Sequence, residues 1–367
     1  MAGLCRGGVL AATALALLAV PGQVWALGEE VNGFPRWEER VMHTFANRAR
    51  VDPQAELATC GANCGEAACY TVQPPLQYSL PHNRAARFHG GEMTHQSYFA
   101  HDSACTVVDN IDGLFPQSCD GEAACACAGG VPACNPTCTP WFTRIQRFTS
   151  SATGEIIASG APDPEQSFYL WLHEPSPDPT CAFSTSNGHR WLLLKQTGGI
   201  GFGLHGVNTV GDFGQVASAT AKIPSGSHYP RQGGQARAVE VWANWFDPAA
   251  PSSAQVNLDG ACTPLALGRG TGSSGAWTAK LAQLDAGCHR YYFQFKDANN
   301  QSFTYPDTGS LGIGPASCAD WNATRAPLCT ASALPVPATG HTTSLLGGLV
   351  LLLVALALAR GARPRQS

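Results

Sequence analysis

Residues from Trp37 to Arg50 contain neither Gly nor Pro, and Val41, Phe45 and the Arg48-Ala49 pair recur at helical spacing, which predicts a first helix. Asn83 to Ser97 repeats the signal, with Ala85, Phe88, His89 and Met93 near one face. A third helix carries its own punctuation: Asp163 as N-cap, Pro164 at the first helical position, Gln166 completing a capping box and Pro175 as the stop. Ser167, Leu170, Trp171 and Glu174 then fall on one face, so Glu174 is expected to point inward with the large apolar residues. Beyond Arg190 the pattern turns strand-like, over Trp191 to Leu194, Gly199 to Leu204 and Phe213 to Ala217. Helices followed by short strands predict an α+β sandwich.

From Ala219 to Gln235 the period disappears among Gly, Ser and Pro, which predicts a linker over residues 219–235. Alternation then takes over. In Ala238 to Phe246, Val239, Val241, Ala243 and Trp245 share one side, and Glu240, Trp242 and Asn244 the other. Ala276 to Leu281 and Arg290 to Lys296 alternate likewise, and Asp297-Ala298-Asn299-Asn300 reads as a hairpin turn before Phe303 and Tyr305. Short alternating strands predict an antiparallel β-sandwich of immunoglobulin-like size over residues 236–325. Trp242 and Tyr292, among its exposed aromatics, are candidates for a sugar-stacking platform, the plainer alternative being cover for a sheet face at a domain interface.

The ends of the chain address the compartment. Arg6, an apolar run from Val9 to Val20 and Val24-Trp25-Ala26 form the pattern of a secretory signal over residues 1–26, with the mature chain expected to begin near Leu27. Residues 343–359 are apolar or small and are followed by Arg360, Arg363 and Arg365, the pattern of a C-terminal membrane helix with a basic cytoplasmic tail over 360–367. The run is short against the roughly 20 residues that usually cross a bilayer. Within the preceding spacer, 326–342, Leu334 to Gly340 resembles a bacterial surface-sorting signal, so the segment is a transmembrane or a sorting helix. Both readings place the body outside the cytoplasm, and the membrane is then a partner through this helix.

Formal net charge is −4, and without Arg6 and the three tail arginines it becomes −8. That balance argues against nucleic acid as a partner, since phosphate binding needs clustered Lys and Arg. Apart from Cys5, ten cysteines lie between Cys60 and Cys181 and four in the C-terminal part, both even counts. In an exported chain this predicts disulfides. The dense run from Cys119 to Cys138 reads as a stapled loop, with a zinc knuckle as the rival.

Polar fragments stand out against this frame: His101 after Tyr98-Phe99, Gly154-Glu155, Trp171-Leu172-His173-Glu174 and Gly188-His189-Arg190. With Asn47-Arg48-Ala49-Arg50, Pro75-Leu76-Gln77-Tyr78, Ala86 to Met93 and Ile200-Gly201-Phe202-Gly203, they occur in the order of the CAP superfamily of cysteine-rich secretory, antigen 5 and pathogenesis-related proteins. The stretch that resembles it most closely follows the family's bacterial branch and covers Trp37 to Ala217. The resemblance implies an α-β-α sandwich over residues 37–218 with a cysteine-rich insertion at about 105–138. It also implies a cleft tetrad of His101, Glu155, Glu174 and His189. Two positions depart from the family pattern: Ile156 and Leu192 stand where Asn is common.

Two imidazoles supply two ligands to zinc or another divalent metal, and carboxylates beside them act as further ligands or fix each ring's tautomer. The bland alternative is that both pairs are buried groups satisfying one another. No Gly-x-Ser-x-Gly or phosphate-binding Gly loop is present. The expected function is a secreted, surface-anchored protein whose His/Glu cleft binds a divalent metal or a small apolar ligand without catalysis, its partner being such a ligand or an extracellular one. The alternatives are a metal-assisted hydrolase acting on peptide or envelope material and an adhesion or carbohydrate-binding module.

Overall fold

The structure is a computed structural model that describes residues 27–131, 138–176, 181–216, 220–232, 238–281 and 284–327. Its helices are α1 (Trp37–Val51), α2 (Pro53–Leu57), α3 (Leu80–His95), α4 (Ile111–Leu114), α5 (Ala123–Ala126), α6 (Trp141–Ile145), α7 (Pro164–Leu172) and α8 (Gly188–Lys195). The first sheet contains β1 (Gln77–Tyr78), β2 (Gly154–Ser159), β3 (Gly199–His205) and β4 (Asn208–Gly214) in the order β1-β3-β4-β2, with β1 parallel to β3 and the remaining pairs antiparallel.

The Gly-x-Gly-x-Gly pattern of β3 separates the two faces of this sheet. A Cβ on Gly201 would lie 1.8 Å from the Asn83 backbone nitrogen and one on Gly203 2.2 Å from that of Arg87, so α3 lies almost directly on the strand. The intervening Phe202 stacks on Trp171 of α7, ring centres 5.8 Å apart, on the side occupied by α1 and α7. Asp163 caps α7 as expected, its Oδ1 accepting from the Glu165 and Gln166 backbone N–H groups.

The remaining strands form two further sheets. β5 (Gly226–Tyr229), β6 (Glu240–Phe246), β9 (Ala266–Gly270) and β10 (Ser274–Lys280) run in the order β5-β6-β10-β9. β7 (Ser253–Leu258), β8 (Ala261–Pro264), β11 (His289–Lys296), β12 (Ser302–Tyr305), β13 (Ser310–Ile313) and β14 (Trp321–Asn322) form the other, along β14-β13-β11-β7-β8 with β12 paired to β11. Between them lies an apolar core that includes Val239, Val241, Ala243, Trp245, Trp277, Phe293 and Phe295. The predicted alternation of β6 is thus correct on that side.

Its other side is not solvent, because α1 covers it. Arg48 stacks over Trp242 at 5.0 Å, Asn47 donates to Ser225 Oγ at 3.1 Å, and Trp37 stacks on Tyr229 while its Nε1 donates to the His228 carbonyl at 2.9 Å. One buried cluster accordingly runs from α1 and α7 through Tyr229, Trp242 and Ala276.

Several expectations are corrected. Trp191 to Leu194 is helix, not strand, because Leu192, Leu193 and Leu194 are all buried once α8 packs beside β2 and α1. The stretch expected as linker contributes β5, which pairs with β6. Helix α7 ends at Leu172, so Glu174 lies beyond it, and Leu170 is half exposed rather than inward. The fold class expected from the sequence, an α-β-α sandwich, an immunoglobulin-like sandwich and a membrane helix, gives way to a mixed α/β molecule rich in strands and built on several sheets. Among the described residues no helix is long and apolar enough to cross a membrane. The 343–359 run lies outside those residues, as does the 1–26 signal. The expected C-terminal membrane helix, and the membrane as a partner through it, are accordingly not supported.

Disulfides join Cys60–Cys64, Cys69–Cys181, Cys105–Cys127, Cys119–Cys125 and Cys288–Cys318, and Cys138 and Cys262 are also oxidised. The zinc-knuckle rival fails here, since disulfide sulfurs are not thiolate ligands.

Candidate functional site

The four expected cleft residues are held as two carboxylate–imidazole pairs. His101 Nδ1 lies 2.8 Å from Glu155 Oε1, and His189 Nδ1 lies 2.9 Å from Glu174 Oε2. In each pair the ring's tautomer is set by the carboxylate, leaving Nε2 as the remaining nitrogen, the arrangement in which a carboxylate supports a metal-binding imidazole. Among the described residues, however, the tetrad is not one of the groups whose ligand atoms all lie within 4.8 Å of one another. It is two dyads rather than a compact cluster.

The first dyad is built by β2 and α6. Glu155 is on β2 with its side chain buried, whereas His101 is nearly half exposed. Arg144, fully buried on α6, pairs with the second Glu155 oxygen and also donates to the His101 carbonyl at 2.7 Å. Helix α6 is itself anchored by Asp102, whose Oδ1 accepts from the Trp141 backbone N–H at 2.9 Å. Across the β2–β4 register Glu155 faces Asp212, which is fully buried. Burial, and then the Glu155 charge, pushes the Asp212 carboxyl well above the usual range. Burial acts on Glu155 in the same direction, but the Arg144 guanidinium, with His89 and His101, outweighs it and holds Glu155 below the ordinary carboxylate range.

The second dyad rests on Arg190. Its backbone N–H donates to Glu174 Oε1 at 2.9 Å, while its buried guanidinium binds the Leu172 carbonyl, the Glu174 carbonyl and Glu66.

A cleft of about 820 Å³ opens at the first dyad. Beside His101, Asp102 and Glu155 it is lined by Trp141 and Phe142 of α6, by Phe183 and by Trp191 and Leu192 of α8, the helix on which His189 sits. Phe142 and Phe183 are exposed, and the aromatics pair edge to face: Trp141 with Phe142 at 5.7 Å and Phe183 with Trp191 at 5.5 Å. These aromatic walls, with Arg144 and Asp212, are the residues the sequence reasoning missed. Trp141-Phe142 after Thr139-Pro140, and Trp191 directly after Gly188-His189-Arg190, were the signals that could have found the walls; Arg144 and Asp212 stand in no motif.

Trp242 and Tyr292, the expected stacking platform, are buried. Trp242 lies under Arg48, and the Tyr292 hydroxyl hydrogen-bonds with Asn257 and the Pro327 carbonyl. Arg48 thus lies over the Trp242 ring and Arg325 over the Tyr292 ring.

No family model and no curated protein matches the chain. One solved structure that does match is an extracellular protein containing an SCP domain from Bacillus anthracis str. Ames, 22% identical, with 39% of this chain and 34% of that chain covered and a TM-score of 0.26. The chain thus spans about a third of that protein's length.

Proposed function

We propose that this is an exported, CAP-like binding protein whose cleft takes a small, mostly apolar ligand with a hydroxyl or cationic end. The aromatic lining beside a single carboxylate–imidazole pair, its carboxylate buried and its imidazole half exposed, carries this reading: exposed aromatics that converge on a concavity mark a binding site more often than a packing defect. His101, Asp102 and Glu155 make the polar end acceptor-rich, which favours a donor or a cation over a carboxylate. The disulfides support export. Hydrolysis is disfavoured by Glu155, because a carboxylate held below its usual range is a poor general base near neutral pH.

Tryptophan fluorescence during titration with a long-chain alcohol and its carboxylate counterpart tests this. The alcohol should bind more tightly than the carboxylate, and Trp191→Ala should weaken it about tenfold, roughly 1.4 kcal/mol. Equal binding of both probes by both proteins overturns the reading.

A second reading, zinc or another divalent ion between His101 and His189, is favoured by their matching Nδ1–carboxylate bonds. Two imidazoles are a sparse set for catalytic zinc, which usually has three protein ligands. Zinc affinity that falls when either His101→Ala or His189→Ala is introduced supports it; affinity indifferent to both removes it.

A further inference from the structure

A different group of side chains meets at the rim of the first sheet. His95 is the last residue of α3, His205 the last of β3, and Asp120 lies in the cysteine-rich insertion, inside the short loop closed by the Cys119–Cys125 disulfide. His205 Nε2 is 3.2 Å from Asp120 Oδ2 and His95 Nε2 is 3.8 Å from the same oxygen. One ligand atom from each residue lies within 4.8 Å of the others, and the two rings are 4.9 Å apart. We propose that His95, Asp120 and His205 form a binding site for a divalent transition metal of the zinc type, which clips the cysteine-rich insertion to the ends of α3 and β3.

Geometry carries this inference. Four ligands at about 2.0–2.1 Å around tetrahedral zinc are separated from one another by about 3.3–3.4 Å, and the two distances to Asp120 bracket that separation. The side chains are a quarter to two-fifths exposed, enough for an ion to enter and for water to take a fourth position. Two imidazoles and a carboxylate are also a donor set suited to zinc and its neighbours rather than to calcium or magnesium.

The surroundings hold these residues in place before any ion arrives. A Cβ on Gly91 would lie 2.3 Å from the Asp120 carbonyl oxygen, and one on Gly121 2.4 Å from the Glu92 backbone nitrogen, so the insertion is pressed against the last turns of α3. Gln96 donates to the Gly121 carbonyl at 2.9 Å, Glu122 Oε2 accepts from the Asp120 N–H at 2.9 Å, and Thr94 Oγ1 donates to the His205 carbonyl at 3.1 Å. The neighbouring Cys119, Glu122 and Cys125 also come close together, but those two sulfurs are bonded to each other and offer no thiolate.

The test titrates zinc into the exported part of the chain and compares it with His205→Asn, Asp120→Asn and His101→Ala. The first two variants should bind zinc at this site at least about tenfold more weakly, while their circular dichroism and metal-free melting match the parent. His101→Ala should leave the site intact, so failure of the cleft readings and failure of this one give different patterns. Hydrogen exchange supplies a second readout: zinc should slow exchange across residues 119–125 in the parent and not in His205→Asn. Unchanged zinc affinity in both His205→Asn and Asp120→Asn, or zinc-induced protection that survives in His205→Asn, overturns the proposal.

Discussion

The helix-covered sheet and the two C-terminal sheets bury opposite kinds of side chain. Around the first sheet, Arg144 pairs with Glu155, Arg190 with Glu66, Arg48 with Glu56 and Arg87 with Glu39, all largely buried. Between the other two sheets lie stacked aromatics, Trp245 on Phe295 at 5.3 Å among them, while the pairs Lys222–Asp297 and Arg231–Asp320 sit nearer the surface. Buried ion pairs are weak contributors to stability but hold groups in fixed positions at high cost of removal. The first part thus carries the cleft because its interior is already organised around charge, and the second supplies a rigid apolar body against which α1 is pressed.

Acid should test this contrast most severely, at the seam between the two parts. His43 on α1 is pushed down to about 4 by burial, partly offset by its bond to the Leu76 carbonyl, and His228 on β5 is pushed down to about 3 by burial. An unfolded histidine protonates near 6.5, so below that pH the unfolded chain binds protons the folded one refuses. Stability is therefore present above about 6.5 and lost as pH falls toward 4, by on the order of 3 kcal/mol for each ring. Melting temperature against pH should show the fall, and His43→Gln or His228→Gln should each flatten it. A profile unchanged by both substitutions places the acid sensitivity elsewhere.

Next in size are two substitutions of similar cost and different consequence. Arg144→Met leaves Glu155 buried without its cation and should cost about 3–5 kcal/mol; Trp245→Ala opens a cavity of comparable cost, about 3–5 kcal/mol. Denaturant unfolding should rank them together. Binding of the alcohol probe should suffer only in Arg144→Met, because only that residue holds both His101 and Glu155. If Trp245→Ala abolishes probe binding in folded protein, the division of labour fails.

The smallest effect concerns one cap. Asp163→Ala removes the α7 cap and the acceptor of the Tyr229 hydroxyl, and should cost about 1–2 kcal/mol in thermal unfolding. A negligible change would mean that tertiary packing alone holds the first turn.

The sequence made some of this legible and concealed the rest for identifiable reasons. Asp163-Pro164 announced a helix because capping is local. Alternating Gly and apolar residues announced β3, although not that its glycine face meets α3. Trp191 to Leu194 was misread because a run of four apolar residues has no period of its own. β5 was hidden because Ser227 and His228 are extended by pairing with β6, a contact no local signal encodes. His101, Glu155, Glu174 and His189 were named through motif order as one tetrad, and their division into two pairs is a matter of tertiary placement, whereas His95, Asp120 and His205 come from three elements with no shared motif. Trp242 was read as exposed because alternation cannot show what covers a sheet face, and the helix that does, α1, lies far away in the chain.

The Cys69–Cys181 bond closes a loop with a sequence separation of 112, and Asp102, Arg144 and Glu155 all lie inside it. Should a protease in the surroundings cut this loop once, the two halves stay tethered. The lesion would escape notice on a non-reducing gel and show as two fragments only after reduction, so the molecule carries its own splint against damage in the stretch that builds its cleft.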